Sequence, residues 1–139
     1  LAKGGEVFVL DLSSEAVFRV NSDLFIGTTH FSPQWHPDGS LAVGQMPPDY
    51  IGPSAIPGEL SPVVVVNPDD NGLSDLLVLG EGFDVPLSWS PSGDFLVARD
   101  FIGVSSDNAG AIHLVLLQRS GVDRTVISEN QDVYIVGWR

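Results

Sequence analysis

The side chains that could do chemistry are few, and their spacing builds no familiar catalyst. His30, His36 and His113 lack both the i,i+4 spacing and the HExxH context of a metalloenzyme helix, so no metal site is expected from them. Ser54 lies in Gly52-Pro53-Ser54-Ala55-Ile56, which lacks the second glycine of a nucleophile elbow and reads as a loop serine. Asp69-Asp70-Asn71-Gly72, with Asp75 beyond it, starts like a calcium loop but has neither the alternating ligands nor the glutamate at position twelve. Asn-Gly hairpin chemistry explains that stretch better. With no cysteine, thiolate nucleophiles, zinc-thiolate centres, iron–sulfur clusters and disulfides are excluded. No cofactor is called for.

Two segments stand apart. Residues 45–61 carry four prolines together with Asp49 and Tyr50, and residues 99–110 carry Asp100, Phe101 and Asp107. Both read as long loops. Asp49, Tyr50, Asp100, Phe101 and Asp107 are therefore the candidate binding residues, because recognition concentrates on loops held by a rigid scaffold. Proline stiffening lowers the ordering cost of binding.

The elements that must hold these loops are strands. Fifteen glycines and ten prolines are spread so evenly that few windows allow three helical turns. Short β-rich runs recur instead, at 7–11, 16–20, 41–43, 63–66, 76–79, 95–98, 112–117, 125–127 and 133–138, each bounded by turn residues. Runs of this kind without helical interludes predict an all-β antiparallel chain.

The runs also repeat. Trp35-His36-Pro37-Asp38-Gly39 and Trp89-Ser90-Pro91-Ser92-Gly93 are 54 residues apart, each followed by an apolar strand, and Val136-Gly137-Trp138 opens a third copy. Between the tryptophans a buried strand and its hairpin partner recur, so that 7–11, 63–67 and 114–118 correspond. This Trp-X-Pro-X-Gly element resembles the TolB-type, WD-repeat-like β-propeller family. The resemblance implies four-stranded antiparallel blades, strands A to D from the inside outward, with the proline-glycine turn joining A to B. His36 and Ser92 depart from the family's usual serine and aspartate. Counted this way residues 1–139 form one propeller segment with repeat units of about 1–35, 36–89 and 90–138. It holds eleven strands, or about 2.75 blades, fewer than the four to eight that close a ring. A partial or fragment propeller is the expectation, with the rest of a longer chain or self-association covering the end faces. All three tryptophans are expected to pack between blades.

The long loops lead to the expectation of a non-catalytic module that recognises a protein or small ligand through the B–C and D–A loops, which in a propeller share one face. The family resemblance implies a periplasmic, cell-envelope or secreted setting. The alternative is the gating propeller of a prolyl-oligopeptidase-like serine hydrolase whose catalytic domain is not in this sequence. A lyase or glycosidase propeller would need carboxylates on the innermost strands, and the runs 31–35 and 85–89 hold none. The net charge of −12 and pI near 4.2 disfavour nucleic acid and anionic membranes and favour a cationic partner. The sequence has no apolar run long enough for a membrane helix and no signal-like leader. Starting at Leu1, it reads as a processed product or excised piece.

Overall fold

A computed structural model describes residues 6–20, 22, 29–46, 63–69, 74–78, 80, 82–102, 110–129, 135 and 137–139, without the side chains of 29–31, 46 and 74. Among these residues the chain is all-β. Its strands are β1 (Phe8–Asp11), β2 (Ala16–Arg19), β3 (Thr29–Trp35), β4 (Leu41–Met46), β5 (Val64–Val66), β6 (Ser74–Leu76), β7 (Phe83–Trp89), β8 (Phe95–Phe101), β9 (Ile112–Gln118) and β10 (Arg124–Ser128). They form a two-stranded sheet, β1-β2, and two four-stranded sheets, β3-β4-β5-β6 and β7-β8-β9-β10. Every pairing is antiparallel and every neighbour is consecutive in the chain. These are blade-like meanders of a β-propeller segment. Ten strands are seen where eleven were expected. The run 133–138 falls partly outside the described residues, and 135, 137 and 138 are not in a strand.

Local chemistry explains the hairpins. In both inner hairpins a glycine closes the turn, Gly39 at φ 91° and Gly93 at φ 81°, a region where a Cβ is strained. Their amides donate to His36 and Ser90 carbonyls at 3.0 and 2.9 Å. Pro33 and Pro86 sit in β3 and β7, which are tolerant of a missing N–H because each pairs on one side only. Both strands carry a register shift just before the tryptophan, between Phe31 and Gln34 and between Pro86 and Ser88. Ser32 takes φ 47° at the first of these bulges.

Side-chain alternation then divides the core in two. Leu41, Val43 and Val66 face the first sheet and join Val7, Val20 and Val9, while Ala42, Val63 and Val65 face the last sheet and join Leu77, Trp89, Leu96, Ala98, Val115 and Leu117. The middle sheet is thus apolar on both faces, which is why its strands read as unbroken valine and leucine runs. Trp89 is buried between the blades, its indole N–H donating to the Gln34 carbonyl at 3.3 Å and its ring meeting His36 edge-on at 4.6 Å. Trp35, expected to be packed in the same way, is instead 55% exposed. The hairpin before it among the described residues, β1–β2, corresponds to the outer pair β5–β6 and not to the inner hairpin that carries Gln34 and His36 for Trp89.

Candidate functional site

In a meander, successive connections alternate between the two ends of the sheet. The short turns at 12–15, 36–40, 67–73, 90–94 and 119–123 therefore share one end. The connections at 20–28, 47–62, 77–82 and 102–111 share the other, where Met46, Phe83, Phe101 and Ile112 lie. This second end is the candidate functional face. The four connections that leave it carry Asp23, Asp49, Glu59, Glu81 and Asp107 and not one Lys, Arg or His.

The roots of these connections meet in a buried charged cluster. Asp84 on β7 is opposite Asp100 on β8, and Asp100 is opposite His113 on β9, so the three share one face. It is the face that packs on the middle sheet, because Leu96 and Ala98 precede Asp100 at alternate positions. The bulge in β7 matters here. Asp84 and Trp89 are an odd number of residues apart and would otherwise point to opposite faces. Asp84 and Asp100 are 2% and 3% exposed. Arg124 of β10 grips Asp84 through both ends of its guanidinium, Nη1 donating to Oδ2 at 2.7 Å and Nη2 to Oδ1 at 3.0 Å. The same Nη2 is 2.8 Å from Asp100 Oδ2.

Two carboxylates face one guanidinium, so the charges do not balance. Burial pushes Asp84 up to about 6, Arg124 partly counters that, and the neighbouring Asp100 adds to it. For Arg124, burial works against the charge, but the hydrogen bonds and charges of the two aspartates outweigh it and hold it more firmly protonated. Asp100 Oδ1 is buried with no hydrogen-bond partner. Only a glycine fits at position 82, where a Cβ would run into the Phe101 carbonyl and approach Asp100 Oδ1. On the sheet's other face Phe83 and Phe101 stack at 5.0 Å. The cluster and this stack join Gly82, Phe83 and Asp84, at the end of the 77–82 connection, to Asp100 and Phe101 at the root of the 102–111 connection.

Of the residues singled out from sequence, Asp49, Tyr50 and Asp107 lie outside the described residues, as does Ser54. Asp100 and Phe101 do not belong to a loop. Strand β8 runs through them, and the Asp100 carboxylate is committed to Arg124 rather than presented to solvent. The inner strand also begins earlier than the run 85–89, so β7 does carry a carboxylate, Asp84. Asp84, Arg124 and His113 were missed as a group. The one available signal was an arginine flanking an apolar run in a chain with only six basic residues. His36 serves the opposite end, its Nε2 2.9 Å from the Gly93 carbonyl. Asp75 pairs with Arg119 at 3.1 Å. Among the described residues no group of three His, Cys, Asp or Glu side chains could hold a metal ion. Nor is any helix among them long and apolar enough to cross a membrane. No protein-family model matches the chain, and no curated protein matches it in sequence.

Proposed function

We propose that this chain is the binding module of a TolB-type propeller, non-catalytic in itself, and that its B–C and D–A loop end recognises a basic protein segment. The observation that carries this reading is the make-up of the four connections at that end, five acids and no base, two of the connections being long. Acid without interspersed base favours a cationic partner and disfavours anionic ones, and it acts on encounter rate as well as affinity. The buried cluster supports the reading from below. Arg124, Asp84 and Asp100 tie the loop roots to three strands, so the loops rise from a fixed base. Such a base lowers the ordering cost of binding. A propeller working in the cell envelope or outside the cell is the setting this reading takes.

The test is a titration of a fluorescein-labelled Lys/Arg-rich peptide with the whole chain, read by anisotropy. Saturable binding that weakens about tenfold in the Asp49→Asn, Asp107→Asn double variant, and weakens with added salt, supports the proposal. Equal binding by the double variant at 150 mM salt, or none by the parent, contradicts it.

A further inference from the structure

The Asp84–Asp100–Arg124 cluster is one positive charge short. With both carboxylates ionised it sets two negative charges against one positive, at side-chain exposures of only 2%, 5% and 13%. Hydrogen bonding is unequal as well. Arg124 meets both oxygens of Asp84 and Oδ2 of Asp100, while Asp100 Oδ1 is buried without a partner. The 77–82 connection comes down onto these groups as bare backbone. A Cβ at Gly80 would run into the Arg124 guanidinium, and one at Gly82 would approach Asp100 Oδ1.

Among the described residues the neighbouring elements do not make up the missing charge. On β8, Arg99 alternates to the opposite face. On β9, His113 is opposite Asp100 and half-buried. From the middle sheet β3 and β4 pack against β7. β4 has no ionisable residue, and the one on β3, His30, has Gln45 as its register partner. The two connections rooted here, 77–82 and 102–111, add Glu81 and Asp107 in sequence.

A buried negative charge without a partner is costly. Two things can relieve it: a proton on one carboxyl, or a positive group brought to the loop end from outside. Burial already favours the proton, pushing Asp84 up to about 6. The two remedies answer the same charge and so oppose each other. We propose that a cationic segment bound at the loop end displaces the cluster's proton, so that binding releases it from Asp84 to solvent and tightens as pH rises. The step balances, since the proton passes to the buffer and the ligand's positive charge offsets the carboxylate left behind. Linkage makes the effect reciprocal: what the ligand does to the proton, the proton does to the ligand. The inference rests on the basic-segment reading above and adds its regulation. A partner is held near neutral pH and let go on mild acidification.

The probe is an acetylated, amidated Lys/Arg-rich peptide, which has no titrating group of its own between pH 5 and 7.5, added to the whole chain in a calorimeter. Binding heats in MES, cacodylate and bis-tris, plotted against buffer ionisation enthalpy, count the protons released per peptide. The expected result is release of about half a proton near pH 5.5, close to none at pH 7.5, and affinity rising about fivefold from pH 5 to pH 7. Asp84→Asn, a neutral stand-in for the protonated carboxyl, should bind at every pH as weakly as the parent at pH 5 and release no proton. His113→Gln should release as many protons as the parent. Binding without proton release overturns the inference and leaves the basic-segment reading standing. So does release that survives in Asp84→Asn and vanishes in His113→Gln. The parent's proton count stands even where the asparagine variant does not fold. Absence of binding at every pH overturns both readings.

Discussion

The indole N–H of Trp89 reaches across to the backbone carbonyl of Gln34, the residue just before Trp35, at 3.3 Å. Trp138 repeats the relation one unit on, donating to the hydroxyl of Ser88, the residue just before Trp89, at 3.2 Å. Trp89 and Trp138 thus each reach back to the inner strand one repeat earlier, β3 and β7, whereas Trp35 has no such bond among the described residues. Trp89→Ala should cost about 3–5 kcal/mol, the range for a buried large aromatic. Trp35→Ala should cost less than about 2 kcal/mol, since over half of that residue is in solvent already. Urea midpoints of the two variants, compared at equal m-value, decide the matter. Equal losses would show that Trp35 is covered too.

The Asp84 carboxyl sets a pH dependence of unusual sign for an acid. Its folded value, about 6, is above its ordinary 3.8, so the folded chain holds this proton more tightly than the unfolded chain. The stabilisation is complete below 3.8, fades as pH rises to about 6, and is flat above. At roughly 1.4 kcal/mol per unit the span is about 3 kcal/mol. Asp11 and Asp38 behave oppositely: hydrogen bonds from Ser14 and Ser13 to Asp11, and chiefly from Ser40 to Asp38, hold both at about 2. Their stabilisation is complete above 3.8 and is lost as pH falls toward about 2, outside the range of the scans below. Thermal scans from pH 4 to 6.5 should show parent stability falling relative to Asp84→Asn, whose curve lacks this component. Parallel curves would contradict the assignment.

Arg124 should be the costliest surface-strand residue to replace. Arg124→Met leaves two buried carboxylates with no counter-charge and should destabilise by about 3–5 kcal/mol at pH 7. Part of that loss should return at pH 4.5, where the Asp84 carboxyl, pushed up to about 6 by burial, is protonated. Chemical denaturation at both pH values measures the recovery, and a pH-independent loss would show that packing, not charge, is what Arg124 provides.

The two turn glycines separate conformation from contact. Gly39→Ala meets open space and should cost only the positive-φ penalty, about 1 kcal/mol. Gly93→Ala bears the same penalty and also collides with the His36 ring, so its cost should be clearly larger. Adding His36→Ser should remove the excess. A double-mutant cycle on the unfolding free energy is the check, and zero coupling would mean the two turns do not touch.

Architecture was legible because it is periodic. The 54-residue repeat, the Trp-X-Pro-X-Gly turns and the β-branched runs locate most strands to within a residue or two. The failures share a physical cause, long-range context. Trp35 and Trp89 have matching neighbours in sequence yet differ in burial, because burial depends on the preceding blade rather than on the residue. Asp100 resembles a loop residue because a lone aspartate is not expected in a strand core, and Arg124, which makes that burial tolerable, lies 24 positions away. Asp84 was missed for the same reason, with its partner 40 positions away.

The most direct test of the loop-end account is a map of where a basic ligand touches the folded chain. We would titrate an unlabelled Lys/Arg-rich peptide into isotopically labelled protein and follow backbone amide shifts. The account predicts that the largest changes fall at the loop roots, Gln45, Val63, Phe83, Phe101, Ile102 and Ala111, and within 47–62 and 103–109. Changes centred on the opposite turns, around His36–Ser40, Ser90–Asp94 and Arg119–Asp123, would contradict it, as would an unperturbed spectrum at saturating peptide.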